Sequence, residues 1–364
     1  MDGAGSAADT LILVNGGATG ALGERARWVA RATSAGAAIV YRDHARGDAI
    51  WRFLRDLRSR RPRVVYLVDA ATATVTAGLW ARRLGARVVL DTGDAIGALT
   101  RSTGTLGALG AAGAPWLERL AYALADTIVV RSDGLAQHVR SMSCRPVVVG
   151  PDGYDPSAAG ELDGAGERRR WNITEEQTVL GVVGSAHWNA RLGWCYGRDV
   201  VEAVAAARRP DVVGLVLVRG DGLPHLRSLA RDRGVQDRVL FDDPGSATQT
   251  WQRLAAMDVA LSTQTNDLVG QSRTTGKLVQ YMAAGRYILA SRVGAAATLL
   301  PAQMLVDYHG PWDEGYFTRL AERVTALPDR RRLAEQGGRL REVAVPFAYP
   351  RLVETLRASV FGAP

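Results

Sequence analysis

The sequence predicts an α/β protein with two parallel sheets, and three observations lead there. From Leu11 onward, short apolar runs alternate with longer amphipathic stretches, the pattern of repeated βαβ units. The series halts near residue 150 and restarts near residue 178. Between the two series, Pro151 to Arg170 is dense in glycine, proline and charge and reads as an interdomain linker.

In the first half the apolar runs expected as strands are Leu11 to Asn15, Ala37 to Tyr41, Val64 to Val68, Val88 to Asp91, Thr127 to Val130 and Val147 to Val149, with helices in the gaps. In the second half they are Thr178 to Val183, Val213 to Val218, Val239 to Phe241, Val259 to Ser262 and Tyr287 to Ala290. Helical stretches follow at Glu314 to Ala326 and Asp329 to Val343. A last helix, Pro350 to Phe361, begins at a proline and is expected to fold back on the N-terminal lobe. Ligands of such folds bind at the carboxyl ends of the strands, so a cleft between the two sheets is the expected site.

Composition narrows the class. A chain of 364 residues that is 47% hydrophobic and 23% charged has enough material for two packed domains and does not match disordered, collagen-like or disulfide-scaffold compositions. Its longest apolar runs fall short of the roughly 18 to 20 residues a membrane helix needs. The start, MDGAGSAADT, has no basic region leading into an apolar core, so a cytoplasmic location is expected. Cys144 and Cys195 are the only cysteines, with no CxxC and no HExxH, which argues against structural zinc. A net charge of +8 fits nucleic acid, anionic lipid or an anionic small substrate, but no aromatic residues interleave with the basic ones to favour nucleic acid. Of the 45 basic residues 44 are arginine, and the one lysine is Lys277. Arginine is a planar fork and lysine a compact point charge, so a position that keeps lysine against such a bias is a candidate for needing ammonium geometry.

Two glycine-containing motifs bear on phosphate. NGGATGALGERA follows the first strand and opens a helix, with Gly17, Gly20 and Gly23 spaced to let a pyrophosphate approach a helix N-terminus. Asp43, 20 residues beyond Gly23, stands where a ribose-binding carboxylate would, which keeps an NADP-dependent reductase open as an alternative. The YxxxK of short-chain reductases is impossible, because Arg273 stands four residues before the only lysine. GQSRTTGKL, Gly270 to Leu278, misses the P-loop pattern in its spacing and in lacking a hydroxyl at Leu278. What remains is a cluster of Ser272, Thr274, Thr275 and Lys277 at the start of a helix over 276–284, a candidate anion site.

TGKLVQYMAAGRYILASRVGA, Thr275 to Ala295, resembles the segment "KlxEYmAaGkPvla" of GT-B glycosyltransferases, particularly the retaining enzymes of family 4. In the same order, VLGVVGSAHW resembles the strand and glycine loop that opens the family's donor domain. VLVRGDGLPHLRSLARDRGVQDRVLF resembles its "ivGdGp" strand–helix–strand, and DTIVVRSDGLAQHV with VVVGPDGYD resembles the end of the acceptor domain and the hinge. The likeness runs from the first strand to the last helix and is strongest in the second half. It implies two Rossmann-like domains: an acceptor-binding domain over 1–155, completed by 349–364, and a donor-binding domain over 156–348.

The chain departs from the family at sites that matter. The family's two donor-site glutamates correspond here to Ser272 and Gln280, and a neutral amide binds ribose more weakly than a carboxylate. The family's basic pair corresponds to Ser185 and Tyr196, with Arg191, Arg198 and Arg219 nearby as substitutes. Lys277 is then the expected charge for the departing nucleoside diphosphate, and Gly16, Gly17, Gly184, Ser185, Arg191, Arg219, Ser272, Thr274, Thr275 and Gln280 are the expected donor contacts. Asp94, at the end of the fourth strand, is expected either to position a sugar or acceptor hydroxyl or to cap the next helix. No DxD carboxylate pair is evident, so metal-independent transfer is expected.

The implied activity is transfer of a sugar from a UDP-, GDP- or dTDP-linked donor to a small acceptor, with retention, and a setting in specialised metabolism. No cofactor beyond that co-substrate is expected. A catalytically silent nucleotide- or partner-binding protein is the alternative from another class. The arginine-rich stretch Trp51 to Arg63 reads as a solvated helix, with an anionic membrane surface as the other reading. His187 and Trp188 are placed to touch nucleotide or sugar, or Trp188 to plug a domain interface. His138, His225 and His309 have no assignable partner.

Overall fold

Alternating valine, leucine and isoleucine make the strands, and they build two six-stranded all-parallel sheets in a computed structural model that describes residues 9–34, 36–42, 46–103, 107–160 and 162–362. The chain divides into two units, Met1–Asp152 with Tyr349–Pro364, and Gly153–Ala348.

The first unit runs β1 (Thr10–Val14), α1 (Ala21–Ala32), β2 (Ala37–Tyr41), α2 (Arg46–Arg60), β3 (Val64–Val68), α3 (Thr72–Arg83), β4 (Arg87–Thr92), α4 (Ile96–Thr103), α5 (Gly107–Leu124), β5 (Thr127–Val130), α6 (Asp133–Met142) and β6 (Val147–Val149). Strand order is β2-β1-β3-β4-β5-β6. Successive residues of β1 point to opposite faces, so Leu11 and Leu13 join one apolar cluster with Phe53, Leu57 and Leu67 while Ile12 and Val14 join another with Trp28 and Tyr66.

In the second unit, α7 (Gly164–Arg170), β7 (Thr178–Ser185), α8 (Arg198–Ala206), β8 (Val212–Arg219), α9 (Leu223–Asp232), β9 (Val239–Asp242), α10 (Ala247–Ala255) and β10 (Val259–Ser262) are followed by α11 (Leu268–Gln271), α12 (Gly276–Ala283), β11 (Tyr287–Ser291), α13 (Gly294–Leu299), β12 (Leu305–Val306), α14 (Gly315–Thr325) and α15 (Arg330–Ala344). Strand order is β12-β11-β10-β7-β8-β9.

The final helix, α16 (Tyr349–Leu356), returns to the first unit. It buries Tyr349, Leu352, Val353 and Leu356 in the cluster that contains Trp28, and Tyr349 stacks on Trp28 at 5.0 Å between ring centroids.

The stretch read as a linker is ordered at its end. Residues 164–170 form α7, with the Asp163 carboxylate accepting from the Gly166 amide as its N-cap. Arg168 is buried and donates to the carbonyl of Ala256 and to Asp258, which holds this segment on the second unit. The arginine-rich stretch from Trp51 belongs to α2, which buries Phe53 and Leu57 and leaves Trp51 71% exposed. No described helix is long and apolar enough to cross a membrane.

Candidate functional site

In the second unit β7 and β10 are neighbours, yet the chain leaves β7 toward β8 on one side and leaves β10 toward β11 on the other. That divergence is a topological switch point, where α/β sheets open a crevice beyond the carboxyl ends of the strands. Lys277 lies there, in the first turn of α12. The helix is fixed one turn further on by Tyr281, whose buried hydroxyl accepts from the Val183 amide of β7 at 2.9 Å.

The Lys277 side chain is only half-buried, but its Nζ is enclosed and has no hydrogen-bond partner. Nζ lies 3.0 Å from the centroid of the Tyr196 ring, a close cation–π contact. On another side it meets β7, where a Cβ added to Gly184 would stand 3.4 Å away. Gly184 also has φ 153°, a backbone conformation that side chains rarely adopt. Burial lowers the Lys277 pKa; Tyr196 and Asp199 oppose this without cancelling it.

A buried polar layer supports this cation. The Tyr196 hydroxyl accepts from Gln264 Nε2 at 3.0 Å, and the same amide donates to the Thr263 carbonyl at 2.8 Å. Burial raises the Tyr196 pKa, but Lys277, Arg273 and Gln264 outweigh it and leave the hydroxyl below its usual value. Asp199, in the first turn of α8, is fully buried and accepts from Thr263 Oγ1 at 2.7 Å and from the amides of Val200 and Gly197 at 3.0 and 3.2 Å. Burial holds its carboxyl above the ordinary range, against the Thr263 hydroxyl and Lys277. Because Thr263 gives its proton to Asp199, the Tyr316 hydroxyl at 3.0 Å is the donor to Thr263.

The expected donor contacts fall into distinct settings. Gly184 and Lys277 are in contact, and Thr274 and Thr275 precede Lys277 with Gly276 between, Thr274 buried and Thr275 at the N-cap of α12. Gln280 is half-buried three residues on, on the same side of the helix as Lys277. Ser272 is buried with its hydroxyl donating back to the Val269 carbonyl at 3.1 Å. Ser185 ends β7 and is exposed, as is Arg191 in the following loop. Arg219 ends β8 and is held by Asp243 in a two-pronged pair at 2.6 and 2.5 Å. Arg198 packs over the rings of Trp312 and Phe317, and Trp188 stacks on His225 at 3.9 Å, the partner that the sequence did not reveal. Among the described residues no group of three or more His, Cys, Asp or Glu could hold a metal ion.

Gly16 and Gly17 lie in the first unit, in the turn after β1. Gly23 packs so tightly on this turn that a Cβ would stand 2.5 Å from the Gly17 carbonyl oxygen. Asp43 lies outside the described residues. Around the carboxyl edge of the first sheet is a buried ion network. Arg25 Nε and the Tyr66 hydroxyl each donate to Asp91 at 2.6 Å; Arg131 lies 3.5 Å from Asp91 and 3.6 Å from Asp152. Asp94 is half-buried at the end of this edge. The first amides of α4, those of Ile96 and Gly97, are taken by the Glu118 carboxylate at 3.0 and 3.1 Å, and His138 lies 3.4 Å from the same carboxylate.

Sequence reasoning singled out Lys277 and noted Tyr196, but missed Asp199, Thr263 and Gln264. An aspartate before an apolar helix run reads as an ordinary cap. Asp69 was also missed, although it follows β3 directly with φ 73°, a strained conformation for a residue other than glycine.

No protein-family model matches the chain, and no curated protein matches its sequence. Solved structures do match along almost its whole length. The chain is similar to HepE of Anabaena in complex with UDP and glucose (14% identity, TM-score 0.72, 95% of this chain and 97% of that one). It is similar to the sucrose-phosphate synthase of Thermosynechococcus elongatus (15% identity, TM-score 0.70, again 95% and 97%). It is also similar, at 10% identity and TM-score 0.62 over 96% and 95% of the two chains, to a Listeria monocytogenes protein assigned as a UDP-N-acetylglucosamine 2-epimerase. The shared architecture is GT-B, two Rossmann-like α/β domains.

Proposed function

We propose that the protein is a nucleotide-sugar-dependent glycosyltransferase whose second unit binds the donor, with Lys277 carrying the charge of the departing nucleoside diphosphate. The observation that carries this reading is the enclosed, unpartnered Nζ of Lys277 at a helix N-terminus on the β7/β10 switch point. An ammonium held out of water without an anionic hydrogen-bond partner interacts strongly with a phosphate that replaces the Tyr196 ring face. Similarity to HepE, crystallised with UDP and with UDP-glucose, and to sucrose-phosphate synthase supports a UDP-linked donor among the UDP, GDP and dTDP alternatives.

In the reaction, the bond between the anomeric carbon and the β-phosphate oxygen breaks with its electron pair going to the phosphate. A bond from the acceptor oxygen to the anomeric carbon forms, and the acceptor proton is released. Lys277 and the α12 amides stabilise the charge that develops on phosphate, so no metal is required. Retention and an acceptor site in the first unit with Asp94 near it complete the reading and rest on the sequence resemblance, and a role in specialised metabolism rests on the departures from that family at Ser272 and Gln280.

A thermal-shift series with UDP, GDP, dTDP and NADPH tests it. A nucleoside diphosphate at about a hundred times its dissociation constant adds roughly 2.7 kcal/mol of apparent stability. One such shift, lost in Lys277→Ala, is the expected result. Stabilisation by NADPH alone overturns the reading. The absence of Glu at Ser272 and Gln280 favours one second reading, a silent nucleotide binder, which predicts binding with no sugar transfer or donor hydrolysis.

A further inference from the structure

The first unit contains a cavity of about 680 Å³ at its own switch point, beyond the ends of β1 and β3. We propose that this cavity binds an apolar, ring-bearing hydroxylated molecule, and that such a molecule rather than a sugar chain is the acceptor; the acceptor role rests on the proposed glycosyltransferase reading, whereas the binding does not.

Three features of the lining argue for that class. Gly110, Gly113, Ala114 and Leu117 share one face of α5, and three of them are so small that the helix backbone itself walls the space. Gly113 is exposed, and a Cβ added to it would meet nothing within 4 Å, so a larger side chain fits at this point of the lining. Ile50 of α2, Ile96 of α4 and the alanines at 70, 71 and 73 continue the apolar wall. A bound oligosaccharide presents a hydroxyl on nearly every ring carbon, and the described residues of this wall have few groups to pair them.

Among the described residues, the polar groups of the lining are few. Asn15, at the end of β1, donates through Nδ2 to Asp69 at 3.3 Å, and its Oδ1 is buried without a partner. That oxygen asks for a donor, which a phenolic or alcoholic hydroxyl supplies. Among the described residues, Arg42 and Thr72 are the other polar side chains in the lining.

The test is titration calorimetry of the full chain with apigenin, a three-ring phenol, and with maltotriose, alongside UDP. The wild type is expected to bind apigenin and not maltotriose. Gly113→Phe, which fills open space, is expected to weaken apigenin at least tenfold and to leave UDP affinity within twofold. Asn15→Ala is expected to weaken apigenin several-fold and to leave flavone, the same rings without hydroxyls, unchanged. Binding of maltotriose in preference, equal apigenin affinity in Gly113→Phe, or no apigenin binding by folded wild type each overturns the inference. Loss of UDP binding with apigenin binding intact would instead sink the donor-site reading and leave the cavity's ligand class standing.

Discussion

The ammonium of Lys277 rests 3.0 Å from the centre of the Tyr196 ring and has no hydrogen-bond partner. A ring face offers a desolvated cation about 2 kcal/mol, less than a phosphate offers in the same place. Lys277→Ala is therefore expected to lower sugar transfer or donor hydrolysis by about 10²- to 10³-fold, the effect of deleting one transition-state charge contact. Lys277→Arg is not expected to restore it, because a planar, delocalised guanidinium does not reproduce a compact ammonium charge at this position. Steady-state kinetics on the purified variants decide the matter, and activity of Lys277→Ala within threefold of wild type would show that this lysine is not the charge used.

Tyr196 separates the role of the ring from that of its hydroxyl. Tyr196→Phe keeps the ring over Nζ and deletes the hydroxyl, with its bond to Gln264 and its electrostatic support of Lys277, so nucleotide affinity is expected to stay within about threefold. Tyr196→Leu removes the ring face and leaves the buried ammonium unsupported, with a larger change in affinity expected by calorimetry. Equal effects from the two variants would mean that the hydroxyl network matters and the ring does not.

Burial lowers the Lys277 pKa below its ordinary 10.5, ahead of the opposing pull of Tyr196 and Asp199. A bound diphosphate favours the charged form and raises that pKa again. Nucleoside diphosphate affinity is thus expected to fall as pH rises through the lowered value, within the window below 10.5. In that window binding takes up a proton, detectable as a dependence of binding heat on the buffer's ionisation enthalpy. Lys277→Met is expected to lose both the pH limb and the proton uptake.

Asp199 supports the site from beneath. Replacing it with alanine strands the Thr263 hydroxyl and two backbone amides in a buried layer, and each unsatisfied buried group costs about 1–3 kcal/mol. Asp199→Ala is expected to lose several kcal/mol of stability by urea denaturation, whereas Asp199→Asn, which keeps an acceptor oxygen, is expected to lose about 1 kcal/mol. Because burial raises the folded carboxyl's pKa above its unfolded value, this group weakens the fold as pH rises through the carboxylate range. Asp199→Asn should therefore gain relative to wild type between acid and neutral pH.

Local periodicity reached far into this fold. The valine-rich runs at Val64 to Val68 and Thr127 to Val130 coincide with β3 and β5, because a buried parallel strand needs a short uninterrupted apolar run. The two-residue β12 was missed because Leu305 and Val306 give no periodic signal of their own. At the site, Lys277 was visible as the single lysine among arginines, and its placement follows from the loop after β10 turning into α12. Asp199 and Gln264 were not visible, because their significance lies in contacts separated by 64 and 68 residues in the chain. Arg219 looked available in sequence, and only the fold brings Asp243 to it across β8 and β9.

The same contrast between local signal and distant partner governs Arg25. Its guanidinium is fully buried, donates to Asp91 at 2.6 Å and also to the Gly150 carbonyl at 2.6 Å, and so ties α1 to the ends of β4 and β6. Replacing one member of a buried ion pair strands the other charge, at a cost of about 3–5 kcal/mol, while replacing both with apolar groups of similar size is often close to neutral. Arg25→Met is expected to lose about that much stability, since Tyr66 and the more distant Arg131 cannot replace a charge-assisted bond. Arg25→Met with Asp91→Leu is expected to recover most of the loss. The pair is shielded from solvent, so raising salt to about 1 M, where the Debye length is about 3 Å, should change the single-variant penalty little. Denaturant titrations of the two variants and wild type, at low and high salt, check all three expectations. A penalty under 1 kcal/mol for Arg25→Met would show that neither the ion pair nor the Gly150 contact holds this edge together, and a double variant no better than the single would put the loss on the Gly150 contact rather than on the stranded Asp91.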